Sequence, residues 1–537
     1  MSPTRNTDSR FPHTPVTLPG GGLNWLDQVA RHARHIPDRV ALRFEGVSTT
    51  WAELHRRVLA LAAGLAAQGV GRGDRVAILM TNRPEYVEAV LAINLLGALA
   101  VPLNFRLTAD EITFILKDSG SVALIADQAL APAVAAVRGT LASPATCVVV
   151  GADPAQAGPE TLNYADLTGA SAAEPPAVDI DERWPALIMY TSGTTGHPKG
   201  AVLSHLNLAG QSGTLIRYWR LHLDDDVNLC ASPMFHIAAL GTIAPSIATG
   251  GTTVIVPSKQ FDPDDLLRTV ESERVTHLFL VPAQWQQVIA HPGAPALATR
   301  LRAMSWGAAP ASVTLLQAMA DTFPGVPNVA VFGQTEMSPV TCALEGEDAL
   351  RKIGSVGRPV PAVSARVVDE EMRDVAPGEV GEIVYRGPTL MSGYWNNPEA
   401  TAEAFAGGWF HSGDLVRADE EGFVYVVDRK KDMIISGGEN IYCAEVENVL
   451  AGHPAVADVA IVGAPHPRWG ETPVAVVVPA DPLAPPTLDD LTEWCQSRLA
   501  SYKKPTRLQV MEALPRNASG KVLKPVLRQA VGDTPPD

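Results

Sequence analysis

Residues 190–200 (YTSGTTGHPKG) concentrate side chains suited to binding phosphate. The segment follows a predicted apolar strand at 186–189 and combines hydroxyl groups, three glycines and one lysine, Lys199. Glycine lets a backbone approach phosphate oxygens closely, hydroxyl groups donate hydrogen bonds, and lysine adds positive charge. The spacing is not that of a Walker loop, because Lys199 lies three residues after Gly196 and is followed by Gly200. The segment predicts a phosphate-binding loop, with a Ser/Thr/Gly surface turn as the alternative.

Eight further motifs follow this region in order and cover nearly the whole chain. They are Phe235-His236, WGAAP at 306–310, FGQTEM at 332–337, Gly381-Glu382-Ile383, WFHSGDL at 409–415, DRKKD at 428–432, SGGEN at 436–440 and PRNASGK at 515–521. Together with 190–200 they resemble the signatures of the acyl-adenylate-forming superfamily. This superfamily includes acyl-CoA synthetases, luciferases and peptide-synthetase adenylation domains. A series in order is far more specific than any single motif.

The resemblance implies a nucleotide site with a metal ion. Glu336 and Thr194 would hold Mg²⁺ beside the ATP phosphates, since this ion prefers hard oxygen ligands; otherwise Glu336 only caps a helix. Asp414 and Arg429 would hold the ribose hydroxyls, although Asp414 seen alone is typical of a turn. Phe332 would stack on adenine, or serve only as core. The implied nucleotide- and CoA-binding residues are Thr191, Ser192, Gly193, Thr194, Thr195, Gly196, Lys199, Gly307, Ala308, Ala309, Phe332, Gly333, Gln334, Thr335, Asp414, Arg429, Gly437 and Gly438.

Three residues are predicted to be catalytic by the same resemblance: Lys521, His236 and Lys431. Lys521 would contact the carboxylate and the α-phosphate, whereas a lone lysine is by default solvated. His236 would orient the acid and the entry of CoA without acting as a general base; a lone histidine is more often a core residue. Lys431 would be the hinge. Gly437 and Gly438 would lie beside the CoA pantetheine channel, where glycine permits close approach.

Two positions depart from patterns seen in parts of the superfamily. Some long-chain synthetases gate the acyl tunnel with a tryptophan where this chain has Leu240. Some members carry a lysine after the hinge where this chain has Ile435. The first departure predicts an open tunnel that accepts several chain lengths.

The chemistry expected is the activation of a carboxylic acid. A carboxylate is a poor acyl donor, so joining it to AMP creates a leaving group that a thiol can displace. The predicted reaction converts ATP, an acid and CoA into acyl-CoA, AMP and pyrophosphate, with Mg²⁺ as cofactor. The sequence looks most like bacterial fatty-acid–CoA ligases of medium to long chain preference. Alternatives are an aryl, steroid-derived or alicyclic acid, a fatty-acyl-AMP ligase, a luciferase-like oxygenase, or a non-catalytic nucleotide-binding protein, which would need neither Lys521 nor Glu336.

The elements that position these residues follow an α/β rhythm. Residues 51–68 form a predicted amphipathic helix with cap candidates at 48–50, a strand follows at 75–79, and a helix at 83–96. Beyond Asp428, helices at 444–452 and 488–499 flank strands at 456–462 and 473–478. We expect a large multi-subdomain N-terminal α/β domain at 1–428, a hinge at 429–431 and a small mobile α+β C-terminal domain at 432–537.

Composition limits the partners. The chain has 537 residues, 46% apolar and 19% charged, and a net charge of −16, which disfavours nucleic-acid binding. Its five cysteines are far apart and predict a reducing compartment without a zinc site. Residues 1–20 show no signal peptide, and the longest apolar run, 89–103, is interrupted by Asn94, Gly97 and Pro102. The expectation is a cytoplasmic protein for which peripheral membrane contact stays possible.

Overall fold

A computed structural model describes residues 22–141, 146–151, 161–169, 174–191, 198–222, 225–309, 311–346, 348–437, 439–516 and 522–532. The strands, in chain order, are β1 (Val40–Phe44), β2 (Val47–Thr50), β3 (Arg75–Leu79), β4 (Leu99–Pro102), β5 (Ala123–Asp127), β6 (Thr146–Val150), β7 (Thr161–Asn163), β8 (Pro185–Thr191), β9 (Lys199–Ser204), β10 (Val227–Cys230), β11 (Thr252–Ile255), β12 (His277–Leu280), β13 (Ala303–Gly307), β14 (Asn328–Gly333), β15 (Val340–Leu344), β16 (Arg358–Pro359), β17 (Ser364–Val368), β18 (Val380–Arg386), β19 (Phe410–Ala418), β20 (Val424–Arg429), β21 (Ile434–Ser436), β22 (Glu439–Ile441), β23 (Val456–His466), β24 (Gly470–Pro479) and β25 (Arg507–Val510).

The helices alternate with these strands through most of the chain. They are α1 (Trp25–His35), α2 (Trp51–Ala67), α3 (Pro84–Leu95), α4 (Ala109–Ser119), α5 (Ala131–Val137), α6 (Tyr164–Gly169), α7 (His205–Tyr218), α8 (Ile237–Thr249), α9 (Pro263–Ser272), α10 (Pro282–Ala290), α11 (Val313–Thr322), α12 (Asp348–Arg351), α13 (Pro398–Ala404), α14 (Cys443–Leu450), α15 (Leu488–Cys495) and α16 (Lys524–Gly532). Short 3₁₀ turns lie at Gln128–Leu130, Arg138–Thr140, Ala294–Thr299, Thr335–Met337, Ala406–Gly408 and Ser501–Lys503.

Two large sheets carry most of the predicted site. The first has the strand order β16-β15-β14-β13-β12-β10-β11-β1-β2, and β10 to β14 run parallel in it. The second has the order β7-β6-β5-β3-β4-β8-β9, with β8 and β9 antiparallel. The carboxyl ends of parallel strands meet at one sheet edge, which is where ligands bind in open α/β sheets. The α/β architecture predicted from the sequence is confirmed.

Helix α2 shows how local sequence produces an element that the core then holds. The Thr50 side chain accepts a hydrogen bond from the Glu53 N–H at 3.2 Å, and so caps the helix. Trp51, Leu54 and Leu61 are buried on one face. The predicted helix at 51–68 is therefore confirmed to within one residue.

The third sheet, β17-β18-β19-β20, is antiparallel, and its last strand ends at Arg429. A fourth sheet begins at Ile434, with the order β22-β21-β24-β23 and β25 paired to β24. Buried apolar residues from Ile434 onward pack with one another in two clusters. Of the predicted hinge residues, Arg429 ends β20, and the next two, 430 and 431, lie between these sheets. The sequence patterns identified β23 and β24 but missed β21, β22 and β25, because these strands are short.

Two further properties bear on the expectations above. All five cysteines are buried with free thiols. Within the described ranges, each helix is too short or too polar to cross a bilayer.

Candidate active site

Strands β8 and β9 bring the two ends of the predicted phosphate loop together. Thr191 pairs with Lys199 in the ladder, and its hydroxyl donates a hydrogen bond to the Lys199 carbonyl at 3.4 Å. The Tyr190 hydroxyl donates to Asp118 at 2.5 Å and anchors the strand just before the loop. The loop residues Ser192, Gly193, Thr194, Thr195 and Gly196 lie outside the described residues, as do Gly438 and Lys521.

Glu336 lies in the 3₁₀ turn that follows β14, and its carboxylate is nearly buried. The Tyr394 hydroxyl donates to Glu336 Oε1 at 2.9 Å. Lys199 Nζ lies 5.3 Å from the centre of the same tyrosine ring, within cation–π range. Tyr394 therefore connects the loop lysine with the predicted metal ligand. The alternative in which Glu336 only caps a helix is wrong, because the residue sits within a turn.

Tyr394 is held by a segment that the sequence reasoning missed. The Trp395 N–H donates to the Gly200 carbonyl at 2.7 Å, and the Val202 N–H donates to the Gly393 carbonyl at 3.0 Å. These bonds fasten the segment to β9. Burial, followed by the charge of Glu336, raises the pKa of Tyr394, so the hydroxyl stays protonated and donates. The signal available in the sequence was the aromatic pair after Gly393.

The site fits a magnesium ion that is bound mainly through substrate. Mg²⁺ is usually held by one or two carboxylates together with substrate phosphates and water. Glu336 offers one carboxylate, oriented by the Tyr394 hydroxyl. Thr194, the second predicted ligand, lies outside the described residues. The described part of the chain holds no cluster of three or more metal-ligating side chains, so an ion here would depend on ATP oxygens.

The ends of β13 and β14 form a close-packed edge at the predicted adenine site. A Cβ on Gly307 would lie 2.3 Å from the Val331 carbonyl oxygen. Gly333 has a φ of +155°, and a Cβ there would lie 1.8 Å from the Pro339 carbonyl oxygen. Both positions therefore require glycine. Phe332, between these approaches, is partly buried against the core and keeps some exposed ring surface.

The remaining predicted residues of this edge lie in its loops. Ala308 follows β13 with a φ of +64° and is exposed, and Ala309 is half-buried. Thr335 opens the 3₁₀ turn. Gln334 Nε2 lies 3.5 Å from the Ser412 carbonyl oxygen, which connects this edge to the third sheet.

Asp414 and Arg429 face each other across β19 and β20. Arg429 Nε lies 2.5 Å from Asp414 Oδ1, and the Asp414 side chain is only 3% exposed. The Ser412 hydroxyl accepts the Asp414 N–H at 3.0 Å. The turn expected from Asp414 seen alone is wrong, because pairing with β18 and β20 makes this segment a strand. The carboxylate and guanidinium are held together as an ion pair.

His236 immediately precedes α8 and lies beside the ring of Phe235. Its ring is 5.1 Å from that of Phe235, which packs edge-on against Phe105 at 5.4 Å. Burial, and then the charge of Arg106, lowers the pKa of His236 to about 4. The imidazole is therefore neutral at physiological pH and a weak base. These properties suit an orienting role better than proton abstraction.

The hinge and the predicted CoA-facing turn lie further along the chain. Lys431 is exposed in the turn after β20. Gly437 has a φ of +62°, its N–H donates to the Trp469 carbonyl at 2.8 Å, and a Cβ there would lie 2.8 Å from the Trp469 ring. Trp469 is 44% exposed. Gly437 thus lies between β21 and β22 of the fourth sheet, whereas Glu336 follows β14 of the first sheet and Asp414 lies in β19 of the third.

Comparison with known proteins identifies this arrangement. Residues 29–395 match the AMP-binding enzyme family, and residues 445–521 match the AMP-binding enzyme C-terminal domain. The chain belongs to the AMP-binding enzyme family. The expected membership of the acyl-adenylate-forming superfamily is therefore confirmed.

Relatives that match most of the chain include CoA synthetases and ligases. A feruloyl-CoA synthase from Amycolatopsis sp is 43% identical, covering 94% of this chain and 98% of the relative. An indoleacetate–CoA ligase from Aromatoleum aromaticum is 40% identical, covering 94% and 97%. Relatives of this kind confirm the predicted class, an ATP-dependent acid–thiol ligase.

Solved structures agree with the fold. The o-succinylbenzoate CoA synthetase of Bacillus subtilis, in complex with its acyl-adenylate intermediate, has a TM-score of 0.82 and 34% identity, covering 94% of this chain and 98% of the other. A fatty acyl CoA synthetase of Mycobacterium tuberculosis has a TM-score of 0.75 and 36% identity, covering 96% and 99%.

Proposed function

We propose that this enzyme activates an aromatic carboxylic acid with ATP and transfers the acyl group to CoA. The observation that carries this choice of acid is the similarity over 94% of the chain to relatives named for ferulate and indoleacetate. It favours the aryl acid, an alternative of the sequence analysis, over the medium- to long-chain fatty acid expected first. The fatty acid stays the second candidate, because one similar structure is a fatty acyl CoA synthetase.

The first half-reaction forms the acyl-adenylate. An oxygen of the carboxylate attacks the α-phosphorus of ATP, a phosphorus–oxygen bond breaks, and pyrophosphate leaves. Lys199 and the loop before it would hold the phosphates, while Asp414 and Arg429 would hold the ribose. Glu336, together with the ATP oxygens, would hold Mg²⁺, which would supply positive charge to the departing pyrophosphate. Lys521 would neutralise charge between carboxylate and α-phosphate.

The second half-reaction transfers the acyl group. The sulfur of CoA attacks the carbonyl carbon, the bond between that carbon and the phosphate oxygen breaks, AMP leaves, and the thiol proton is released to water. The neutral imidazole of His236 would orient the carbonyl group. Gly437 and Gly438 would line the pantetheine path, since a glycine backbone permits close approach.

The two half-reactions need different faces of the segment 432–537. Lys521 and Gly437 are 84 residues apart, and Gly437 lies between β21 and β22. Rotation about Lys431 would exchange one face for the other, a common form of hinge motion.

A panel of acids tests the proposal. Pyrophosphate release would be measured with ferulate, indoleacetate, cinnamate, octanoate and palmitate, each with and without CoA. We expect the highest kcat/KM with an aromatic acid, and acyl-CoA only when CoA is present. A higher kcat/KM for octanoate or palmitate would select the fatty acid, and acyl-AMP accumulating unchanged with CoA present would select the acyl-AMP ligase.

A further inference from the structure

The side-chain amide of Gln211, in α7, is completely buried. Its Oε1 accepts the backbone N–H of Val340 at 3.3 Å. That bond fixes the orientation of the amide, because the reverse orientation would place its NH₂ group against the Val340 N–H. Nε2 must therefore face elsewhere, and it has no hydrogen-bond partner among the described residues. A buried donor left unpaired costs about 1–3 kcal/mol, so an acceptor is missing here.

The amide contacts the start of β15, which follows Glu336 in the chain and lies close to α8. Val340 follows Glu336 by four residues, and Pro339 closely approaches α8, because a Cβ on Gly241 would lie 3.3 Å from Pro339 Cδ. His236 immediately precedes α8. An acid whose carboxylate lies between His236 and Glu336 must extend its tail along the elements that carry these residues.

Helix α7 packs against α8 and against β15, the strand that begins at Val340. Leu208 of α7, Leu240 of α8 and Val340 belong to one buried apolar cluster. Ser338, two residues before Val340, also has a fully buried hydroxyl without a partner among the described residues. Polar groups unpaired in an apolar wall are characteristic of ligand sites, where a few of them fix orientation.

We propose that Gln211 is a specificity-determining residue whose Nε2 donates a hydrogen bond to an oxygen substituent on the tail of the acid. This inference rests on the proposed function, an aromatic acid as substrate, and deepens it. Nε2 can only donate, so the substituent must accept, as the oxygen of a ring hydroxyl or methoxy group does. The acid class is then an aromatic acid that carries an acceptor oxygen on its ring.

Isosteric substrates test this role. The values of kcat/KM would be compared for 4-methoxycinnamate and 4-ethylcinnamate, and likewise for 3-methoxycinnamate and 3-ethylcinnamate. The two acids of each pair have nearly the same shape, but only the methoxy acid has the oxygen. The wild type is expected to prefer one methoxy acid by about tenfold, equivalent to one hydrogen bond in a buried site. Gln211→Met should bring this ratio close to one while still activating the ethyl acid.

A matched control lies one turn along the same helix. Thr214 is buried, and its hydroxyl donates within α7 to the Gly210 carbonyl at 3.2 Å. Thr214→Val should leave the ratio unchanged. Gln211→Glu keeps an acceptor for the Val340 N–H. It therefore provides a second test of the donor role if Gln211→Met does not fold. Its methoxy preference should fall as pH rises, because an ionised carboxylate donates nothing.

The outcomes separate the two proposals. Turnover of both acids without a methoxy preference at either ring position overturns the role of Gln211 and leaves the proposed function standing. A preference that persists in Gln211→Met, or in Gln211→Glu at every pH, overturns it as well. Activation of fatty acids but of neither probe overturns the proposed function and this inference with it.

Discussion

The Tyr394 hydroxyl offers a sharp test of the site, because it makes one defined contact with the predicted metal ligand. Tyr394→Phe removes the donor that lies 2.9 Å from Glu336 Oε1 and leaves the ring in place beside Lys199. A hydrogen bond to a charged group contributes about 1.5–3 kcal/mol. At about 1.4 kcal/mol per factor of ten, the loss of this bond should raise the Mg²⁺ concentration needed for half-maximal activity by about 10- to 100-fold. Glu336→Ala should abolish adenylation at ordinary Mg²⁺.

The assay is acid-dependent exchange between ATP and pyrophosphate, measured across a Mg²⁺ titration. The curve for Tyr394→Phe should shift to higher Mg²⁺ and recover most of the wild-type maximum. Tyr425→Phe is the matched control. It removes a hydroxyl that lies 3.5 Å from Asp419, in the β19–β20 hairpin of the third sheet. An unshifted Mg²⁺ curve in Tyr394→Phe, or near wild-type exchange in Glu336→Ala, would refute the assignment of Glu336 to the metal.

Other parts of the site and fold make separate predictions. Asp414→Asn should lower kcat/KM for ATP by about 10- to 100-fold, because the charged acceptor paired with Arg429 is lost; an unchanged value removes Asp414 from the ribose site. Burial lowers the pKa of His205 to about 4, so its contribution to stability is complete above pH 6.5 and is lost as pH falls towards 4. Between pH 7.5 and pH 5, the free energy of unfolding of the wild type should fall by about 2 kcal/mol more than that of His205→Leu, as measured by denaturant titration. Equal decreases in the two proteins would contradict this. Lys521→Ala should block adenylate formation but still convert supplied acyl-AMP and CoA into acyl-CoA. Lys431→Pro should still form the adenylate but transfer the acyl group poorly, because proline fixes φ and resists rotation. If both folded variants lose both half-reactions in proportion, the hinge proposal is wrong.

Sequence reasoning succeeded where the information is local. Helix α2 could be predicted because its apolar spacing, its cap Thr50 and its length all lie within twenty residues. The phosphate-binding role of segment 190–200, which rests on composition and on the resemblance, stays a prediction, because residues 192–197 lie outside the described residues. The same local view misread Asp414 in isolation, since strand pairing with Arg429 decides its conformation.

Contacts that span the chain could not be predicted. Tyr394 and Glu336 are 58 residues apart, and nothing in either local sequence indicates that they meet. Gln211 and Val340 are separated by 129 residues, and a glutamine inside a helix is ordinarily a surface residue. Their importance comes from burial and from hydrogen bonds left unmade, which only the folded chain shows.

The central claim, activation through an acyl-adenylate, can be tested by following one oxygen atom. Ferulate labelled with ¹⁸O in both carboxylate oxygens would be incubated with the enzyme, ATP, Mg²⁺ and CoA, and the AMP analysed by mass spectrometry. Attack of the carboxylate on the α-phosphorus followed by thiol displacement leaves one carboxylate oxygen on phosphorus, so the account predicts AMP carrying one ¹⁸O and feruloyl-CoA carrying the other. Formation of feruloyl-CoA with unlabelled AMP, or with ADP and labelled phosphate, would contradict it.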